Sequence, residues 1–440
     1  SGNKITNLDV SKLINLTSLN CSFNSLTSLD VSKLTKLTSV QCLYNSLTSL
    51  DVSKLLKLTK LNCSKNKITS LNLDNLLELI ELDCSINLLT SLDVSSLTGL
   101  IKLECSENKL TSLDVSSLTK LEEIKCSGNK LTILNLGSIK NIKKLYCSKN
   151  QLSNLNVNNL INLDILDFSS NRLTNINLTT PINLSVLLGR SNLITSLNVD
   201  LLTNLFNLYC DSNQITSLNL SNNIKLRSLY CGVNQITSLD VSKLTKLYTL
   251  ECFNNKITSL DVANLKELMD LNCSFNKLPS LNLNNLTELE RIDCSNNLLT
   301  SLGLNKLSNL NDLNCSNNLL TNLSIDNSPN LEYLDCNTNN LTSLDVSNST
   351  IIYNLDARKN QFKSLDFNKL TELYYLDITN NSQLEALYIK NGQDDNFYLI
   401  DDYYDDVEYY YNILEGNDKL KYICTDNDDA YSLISLVDFL

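Results

Sequence analysis

Apolar residues recur along this chain in a pattern that repeats every 21 residues. In a typical repeat, Leu19 and Cys21 alternate with polar neighbours, and Leu29 and Val31 alternate again around Asp30. Alternation with a period of two indicates short strands that point their apolar side chains inward. Because a coil of this length cannot bury its apolar side alone, the pattern predicts a stack of coils with a parallel sheet along one side.

One position of the repeat holds cysteine in most coils, and asparagine follows three residues later. We predict two structural ladders: buried, reduced cysteines that pack as small apolar groups, and asparagines that bond backbone groups where the chain leaves the sheet. Side chains on neighbouring parallel strands run parallel instead of converging, which disfavours disulfides. The first members of the two ladders are Cys21, Cys42, Cys63, Asn24, Asn45 and Asn66.

The other side of each coil shows a second alternation and then a short polar turn such as Ser-Lys-Leu-Thr-Lys. This predicts second short strands followed by tight 3-10 turns, and the narrow elements on both sides predict weak curvature. The position of Asp30 holds Asp or Asn in nearly every coil. Such side chains cap turns by accepting hydrogen bonds from backbone N–H groups.

The unit that begins at Leu16 resembles the leucine-rich repeat, whose core pattern L-x-x-L-x-L-x-x-[NC]-x-L it follows with cysteine at the third apolar place. The resemblance is to secreted bacterial proteins of the internalin-like and Bacteroidota types. It implies a right-handed α/β solenoid dominated by β structure, with the long parallel sheet on its concave face and the second strands and turns on its convex side. We expect residues 1–390 to form one array of about 19 coils, and residues 391–440 to form an acidic, tyrosine-rich capping segment.

Three places depart from the repeat. Glycine at position 189 and Pro181 in the preceding turn predict an inward void and a local irregularity. After Gln383 the phase slips, yet Leu420–Cys424 has the form of one final, altered coil. At the other end, Ser1 falls inside a coil, so we expect the chain to be a processed protein or a fragment.

Composition removes several function classes. Without histidine the chain can build neither a Ser-His-Asp triad nor an imidazole-ligated metal site. A net charge of -12 and a pI near 4.7 disfavour nucleic acid as a partner. No apolar run is long enough for a transmembrane span. We therefore expect a protein without catalytic activity or cofactor.

Candidate binding residues lie at outward positions of the predicted sheet. An aromatic patch near the middle combines exposed tyrosine with arginine, a composition enriched at binding hot spots. A column of aspartates nearer the C-terminus would repel itself unless a basic ligand sits on it. The first group comprises Tyr146, Arg190, Tyr209, Tyr230 and Phe253, and the second comprises Asp293, Asp335, Asp356 and Asp377.

The acidic segment near the C-terminus offers weak calcium candidates, with a solvated acidic loop as the simpler interpretation. These candidates are Asp401, Asp402, Asp405 and Asp406.

Two hypotheses for function follow. In the first, the chain is a rod exported to the bacterial surface that binds a protein or glycan on its concave sheet, for adhesion or complex assembly. In the second, it is a structural or accessory subunit of an outer-membrane or secretion assembly and docks through its C-terminal end. Asn-Cys-Ser, the acceptor sequence for N-glycosylation, recurs on the sheet, as at Asn20. Glycans would cover the sheet in a eukaryotic secretory route, which favours a bacterial origin.

Overall fold

The structure, a computed structural model, describes residues 2–392 and 415–425. Contacts divide the chain into two compact units that meet in sequence between Ile215 and Thr216. Each unit is a solenoid of stacked coils with one main strand per coil, and the described residues contain no helix.

In the first unit the main strands pair in parallel, each with the strand of the next coil in strict 21-residue register. The strands of this unit are β1 (Ser18–Asn20), β2 (Ser39–Gln41), β3 (Lys60–Asn62), β4 (Glu81–Asp83), β5 (Lys102–Glu104), β6 (Ser112–Asp114), β7 (Glu123–Lys125), β8 (Ile133–Asn135), β9 (Lys144–Tyr146), β10 (Ile165–Asp167), β11 (Val186–Leu188) and β12 (Asn207–Tyr209).

The second unit repeats the arrangement, and its main strands also pair in parallel and in register. Its strands are β13 (Ser228–Tyr230), β14 (Thr249–Glu251), β15 (Asp270–Asn272), β16 (Leu281–Asn282), β17 (Arg291–Asp293), β18 (Leu302–Gly303), β19 (Asp312–Asn314), β20 (Tyr333–Asp335), β21 (Asn354–Asp356), β22 (Ser364–Asp366), β23 (Tyr375–Asp377), β24 (Ala386–Ile389) and β25 (Tyr422–Thr425).

Paired second strands form on the far side of only some coils. They are the pairs β6–β8 and β16–β18 and the three-stranded set β22–β24–β25. In other coils the predicted alternation persists without pairing, since Leu29 and Val31 are buried around an exposed Asp30. The coil then closes through two successive turns, in which the N–H of Leu34 donates to Val31 O and that of Leu37 donates to Leu34 O. The aspartates cap these turns as predicted: Asp30 Oδ1 accepts the Ser32 N–H at 2.9 Å.

The asparagine ladder joins each coil to its predecessor. Asn66 Nδ2 donates to the carbonyl oxygens of Cys63 and Cys42, each at 3.0 Å, and its Oδ1 accepts the Leu47 N–H at 2.9 Å. Asn24 and Asn45 occupy the same place in their own coils. The amide thus satisfies buried backbone groups on two coils at the point where the chain turns off the sheet.

The cysteine column lies in the core of both units. The fourteen members carry free thiols and are buried. Burial raises the pKa of the Cys252 thiol to about 12 and that of Cys63 and most of its column neighbours well above the usual value. These sulfurs therefore act as apolar packing groups instead of nucleophiles.

The prediction of a void at Gly189 is wrong. The Phe168 ring of the preceding coil fills the space: a Cβ added to Gly189 would lie 2.4 Å from Phe168 Cζ. The predicted irregularity is also missing from the sheet, where β10, β11 and β12 stay in register. The turn at Pro181 still closes, because the carbonyl oxygen of Pro181 accepts the Leu184 N–H. A large residue in one coil thus compensates for a small one in the next.

The segment around Leu420–Cys424 forms a further coil, as the sequence predicts. Strand β25 pairs in parallel with β24, and Asn417 takes the next place in the asparagine ladder. Asn417 follows Asn381 by 36 residues instead of 21. The extra residues of this coil and most of the predicted capping segment lie outside the described residues.

Candidate ligand-binding face

The outer faces of the parallel sheets carry the most varied chemistry of the repeat. Each main strand buries its middle residue and turns the two flanking side chains outward, as Leu145 does between Lys144 and Tyr146. The outward positions change from coil to coil, whereas the inward positions hold leucine and cysteine almost throughout. Individual coils therefore differ from one another mainly on the outer face, and a ligand that recognises particular coils would contact that face.

In the first unit many outward charges pair with one another across neighbouring strands. Lys60 Nζ lies 3.2 Å from Glu81 Oε2, and Lys125 Nζ lies 3.1 Å from Glu104 Oε2 and 3.7 Å from Glu123 Oε1. Exposed pairs of this kind contribute little free energy, but they leave little uncompensated charge for a ligand.

The predicted aromatic residues of the first unit already have internal partners. The Arg190 guanidinium carbon lies 4.3 Å from the centre of the Tyr209 ring, and Arg190 Nε lies 2.8 Å from Asp211 Oδ1. Burial raises the pKa of Asp211, and the nearby arginine opposes that rise. Tyr146 is half-buried between Lys125 and Asp167 on the adjacent strands. Arg190, Tyr209 and Asp211 therefore form one compact group at the outer face of this sheet.

The two remaining members of the predicted patch belong to the second unit. Tyr230 ends strand β13, where it is in register with Glu251. Phe253 lies over Gly232, so closely that a Cβ on Gly232 would be 2.6 Å from the phenylalanine Cε1. The ring of Phe253 therefore covers the bare backbone that follows strand β13.

The predicted aspartate column is compensated in part by the chain itself. Asp335, Asp356 and Asp377 are in register on successive strands, while Asp293 has Asn272 and Asn314 as its strand neighbours. Asn337 Nδ2 donates to Asp335 Oδ1 at 2.7 Å and to Asp356 Oδ2 at 3.0 Å.

An arginine completes this network. Arg358 lies 3.3 Å from Asp356 Oδ2 and 3.2 Å from Asp377 Oδ2. Burial, with repulsion from Asp335 second, raises the pKa of Asp356 to about 7. The side chain is only 8% exposed, so it is a strongly perturbed carboxyl in the sheet face.

A strip of stacked tyrosines, which is not among the residues predicted from the sequence, lies beside this column. The rings of Tyr353 and Tyr374 lie 4.9 Å apart and nearly parallel, and Tyr333 lies 6.2 Å from Tyr353. All three are exposed, by 44% for Tyr333, 40% for Tyr353 and 44% for Tyr374. Most of the predicted binding residues lie one residue before the cysteine position, whereas Tyr353 and Tyr374 occupy the position four residues before it. Reading that column would have found them.

The described part of the chain holds no cluster of three metal-ligating side chains. The calcium candidates Asp401, Asp402, Asp405 and Asp406 lie outside it. Within the same residues, no helix has the length and apolarity needed to cross a membrane.

Similar proteins are leucine-rich-repeat proteins. A family profile described as "Leucine Rich repeats (2 copies)" matches residues 224–267. No protein with curated annotation shows significant similarity to the chain. A leucine-rich-repeat protein of Leptospira interrogans is 26% identical over 80% of this chain and 93% of its own, with a TM-score of 0.62. YopM of Yersinia enterocolitica, 23% identical over 93% of this chain and 91% of its own, shares the fold with a TM-score of 0.70.

The functional domain of InlJ from Listeria monocytogenes, described as including a cysteine ladder, is 30% identical to this chain. The match covers 82% of this chain and 75% of that domain, with a TM-score of 0.65. Leucine-rich-repeat proteins are generally non-enzymatic scaffolds that bind protein ligands on extended surfaces. With this similarity, its 21-residue coils and its cysteine and asparagine ladders, the chain belongs to the leucine-rich-repeat family.

Proposed function

We propose that this chain is a binding protein of the bacterial cell surface that recognises a protein ligand through the outer faces of its parallel sheets. The observation that carries the proposal is the contrast between the two sides of each strand. Inward positions repeat leucine, cysteine and asparagine to hold the stack, whereas outward positions carry most of the charged and aromatic diversity. Residues without a stacking role are free to specify a ligand.

Export and adhesion, or complex assembly, belong to the same proposal. Two similar structures, at 30% and 26% identity, come from the bacteria Listeria monocytogenes and Leptospira interrogans. The Asn-Cys-Ser sequences on the sheet also favour a bacterial origin, because glycans attached there would obstruct the proposed face.

Site-specific photo-cross-linking tests the proposal. A benzophenone amino acid replaces one residue at a time on intact bacterial cells that express the chain. Phe206 and Tyr353 probe the sheet side, and Leu77 and Ile182 are matched controls, because they are exposed residues in the turns of the far side. We expect one and the same partner to be captured from the sheet positions and not from the turn positions.

Three outcomes would contradict the proposal. Equal capture from sheet and turn positions would mean that the sheet face has no special role. Capture confined to a probe at Tyr422, in the last described coil, would instead support an accessory subunit that docks through its C-terminal end. A partner that is lost after periodate oxidation of its sugars would replace the protein ligand by a glycan.

A further inference from the structure

The tyrosine strip of Tyr333, Tyr353 and Tyr374 lies beside carboxylates that have no cation within ion-pair distance in the described chain. Asp312 is in register with Tyr333 on the neighbouring strand, and Asp335 follows Tyr333 by two residues on the same strand. The two arginines nearby form their ion pairs with other carboxylates, Arg291 with Asp270 at 2.5 Å and Arg358 with Asp356 and Asp377. They act on Asp312 and Asp335 only from beyond ion-pair distance.

The carboxylates themselves indicate an excess of negative charge. Burial raises the pKa of Asp312, the neighbouring Asp293 raises it further, and Arg291 opposes the rise only in part. Burial also raises the pKa of Asp335, whose hydrogen-bond donors include the neutral backbone and amide groups of Asn337. A cation placed here would relieve this repulsion. It would lose part of its hydration shell and would gain contacts with the carboxylates and with the face of a tyrosine ring.

The first unit shows what such a cation looks like when it is part of the chain. Tyr209 and Asp211 are separated by one residue on the outer face, and Arg190 of the preceding coil stacks on the tyrosine while contacting the aspartate. Tyr333 and Asp335 have the same spacing along their strand. The pair Tyr333 and Asp335 lies two residues earlier in the repeat than Tyr209 and Asp211. One coil before Asp335, in the place that Arg190 takes relative to Asp211, the second unit has Asn314.

Arginine fits this place better than lysine. Its guanidinium is planar, so it stacks on an aromatic face while its edge donates hydrogen bonds to a carboxylate. Lysine, a compact and strongly hydrated charge, satisfies one of these requirements at a time. The exposed strip continues over Tyr353 and Tyr374, which gives an extended chain apolar surface on one side of the anchoring side chain.

We propose that Tyr333, Tyr353, Asp312 and Asp335 form a docking site for an arginine side chain that is presented by an extended basic segment of a partner protein. The guanidinium stacks on Tyr333 and pairs with Asp335, and the segment's backbone crosses the tyrosine strip. This inference rests on the proposed function, because it names the class of partner and the part of the sheet face that binds it.

Peptide binding to the full chain tests the inference. The probe is a fluorescent synthetic peptide in which arginine alternates with serine, and the comparison peptides carry citrulline or lysine in place of arginine. Binding is measured by fluorescence anisotropy at low and high salt. We expect saturable binding of the arginine peptide that weakens with salt, binding about 3-fold or more weaker for the lysine peptide, and none for the neutral citrulline peptide.

Matched variants locate the site. Tyr333→Leu keeps an apolar side chain without the aromatic face, and Asp335→Asn removes the charge; each is expected to weaken binding about 3- to 30-fold. Tyr44→Leu is the control, because Tyr44 is also exposed and stacked, with Phe23 at 5.4 Å, but has no carboxylate on the outward strand positions around it. We expect Tyr44→Leu to bind as the unchanged chain does, and circular dichroism checks that all variants are folded.

Equal binding of the arginine and citrulline peptides, equal losses in Tyr333→Leu and Tyr44→Leu, or no saturable binding would overturn the inference. Binding of a neutral oligosaccharide that Tyr333→Leu abolishes and Asp335→Asn leaves intact would assign the strip to a glycan and overturn it as well. The proposed function fails separately, through equal photo-cross-linking from sheet and turn positions.

Discussion

Two stretches of five successive coils share the asparagine ladder and most of their inward leucines, but they have different outer faces. In the first, from Lys60 to Ser148, the outward strand positions and the position before each strand hold five carboxylates and five lysines: Glu81, Asp83, Glu104, Glu122, Glu123, Lys60, Lys102, Lys125, Lys143 and Lys144. In the second, from Glu290 to Thr379, the same positions hold seven carboxylates and one arginine: Glu290, Asp293, Asp312, Glu332, Asp335, Asp356, Asp377 and Arg291. A second arginine, Arg358, lies two residues after the end of strand β21.

The difference separates what holds the coils together from what a ligand can recognise. Both stretches use the same inward leucines and the same asparagine bonds. In the first stretch several of the outward charges are paired with each other, as Lys143 is with Glu122 at 2.9 Å. The second stretch retains net negative charge beside stacked tyrosines, which makes it the better candidate for binding a charged partner.

The strongest test of a shared interior removes one asparagine of the ladder from each stretch. In Asn108→Ala and Asn318→Ala, the N–H groups of Leu89 and Leu299 lose their acceptors, and carbonyl oxygens of two coils lose a donor. Since unpaired buried groups cost about 1–3 kcal/mol each, we expect both variants to lose about 2–4 kcal/mol of local stability. Native-state hydrogen exchange of the neighbouring strands measures the loss.

Asn330→Ala is the matched control, because its amide donates to Ser308 O at 2.9 Å on the exposed surface. Its expected effect is below about 1 kcal/mol. If the losses in Asn108→Ala and Asn318→Ala differed by more than about 1 kcal/mol, the two interiors would not be equivalent.

The second prediction concerns pH and should separate the two stretches. The folded-state pKa of Asp356 is raised to about 7 from an ordinary value near 3.8. Its favourable contribution to the free energy of unfolding is therefore fully present at a pH below the ordinary pKa and is lost as the pH rises through about 7. Asp312 and Asp335, whose pKa values are also raised, act in the same direction.

When the pH is lowered in steps from 8 to 5, we expect the free energy of unfolding of the second stretch to rise by about 1–3 kcal/mol. That of the first stretch should change little. In the first stretch, Asp93 and Asp114 have lowered pKa values, because the backbone and hydroxyl groups of serine donate to them, so they act only at lower pH. Asp356→Asn should flatten the profile of the second stretch. Carboxyl titration by NMR and unfolding at each pH would measure this, and an unchanged profile in the variant would refute the assignment to Asp356.

The interior could be predicted from the sequence because it depends on identical side chains at identical positions. Asn66 bonds the same backbone positions as most of the other ladder asparagines, so its role follows from the period alone. The final coil at β25 was likewise visible, because its apolar residues keep the spacing of a strand.

The outer face could not be predicted as completely, because its contacts run diagonally between coils. Tyr333 stacks on Tyr353, which follows it by 20 residues instead of 21, so reading a single column of the repeat separates the two rings. Gly189 was misjudged for a related reason: the void that one coil leaves is filled by Phe168 from another. A small side chain or an unpaired charge in one coil is compensated by a side chain of a neighbouring coil. Such compensation is not visible when each coil is considered alone.

The smallest expected effect is that of breaking the charge balance in the first stretch. Lys125→Met leaves Glu104 and Glu123 without their lysine, but these side chains are partly exposed and pairs near the surface contribute about 0–1 kcal/mol. We expect a loss of unfolding free energy within that range, measured in denaturant, and no change in binding of the arginine peptide. A double-mutant cycle with Glu104→Gln isolates the pair. A gain of peptide binding comparable to that of the second stretch would show that net negative charge alone suffices, and the stacked tyrosines would then lose their role in the comparison.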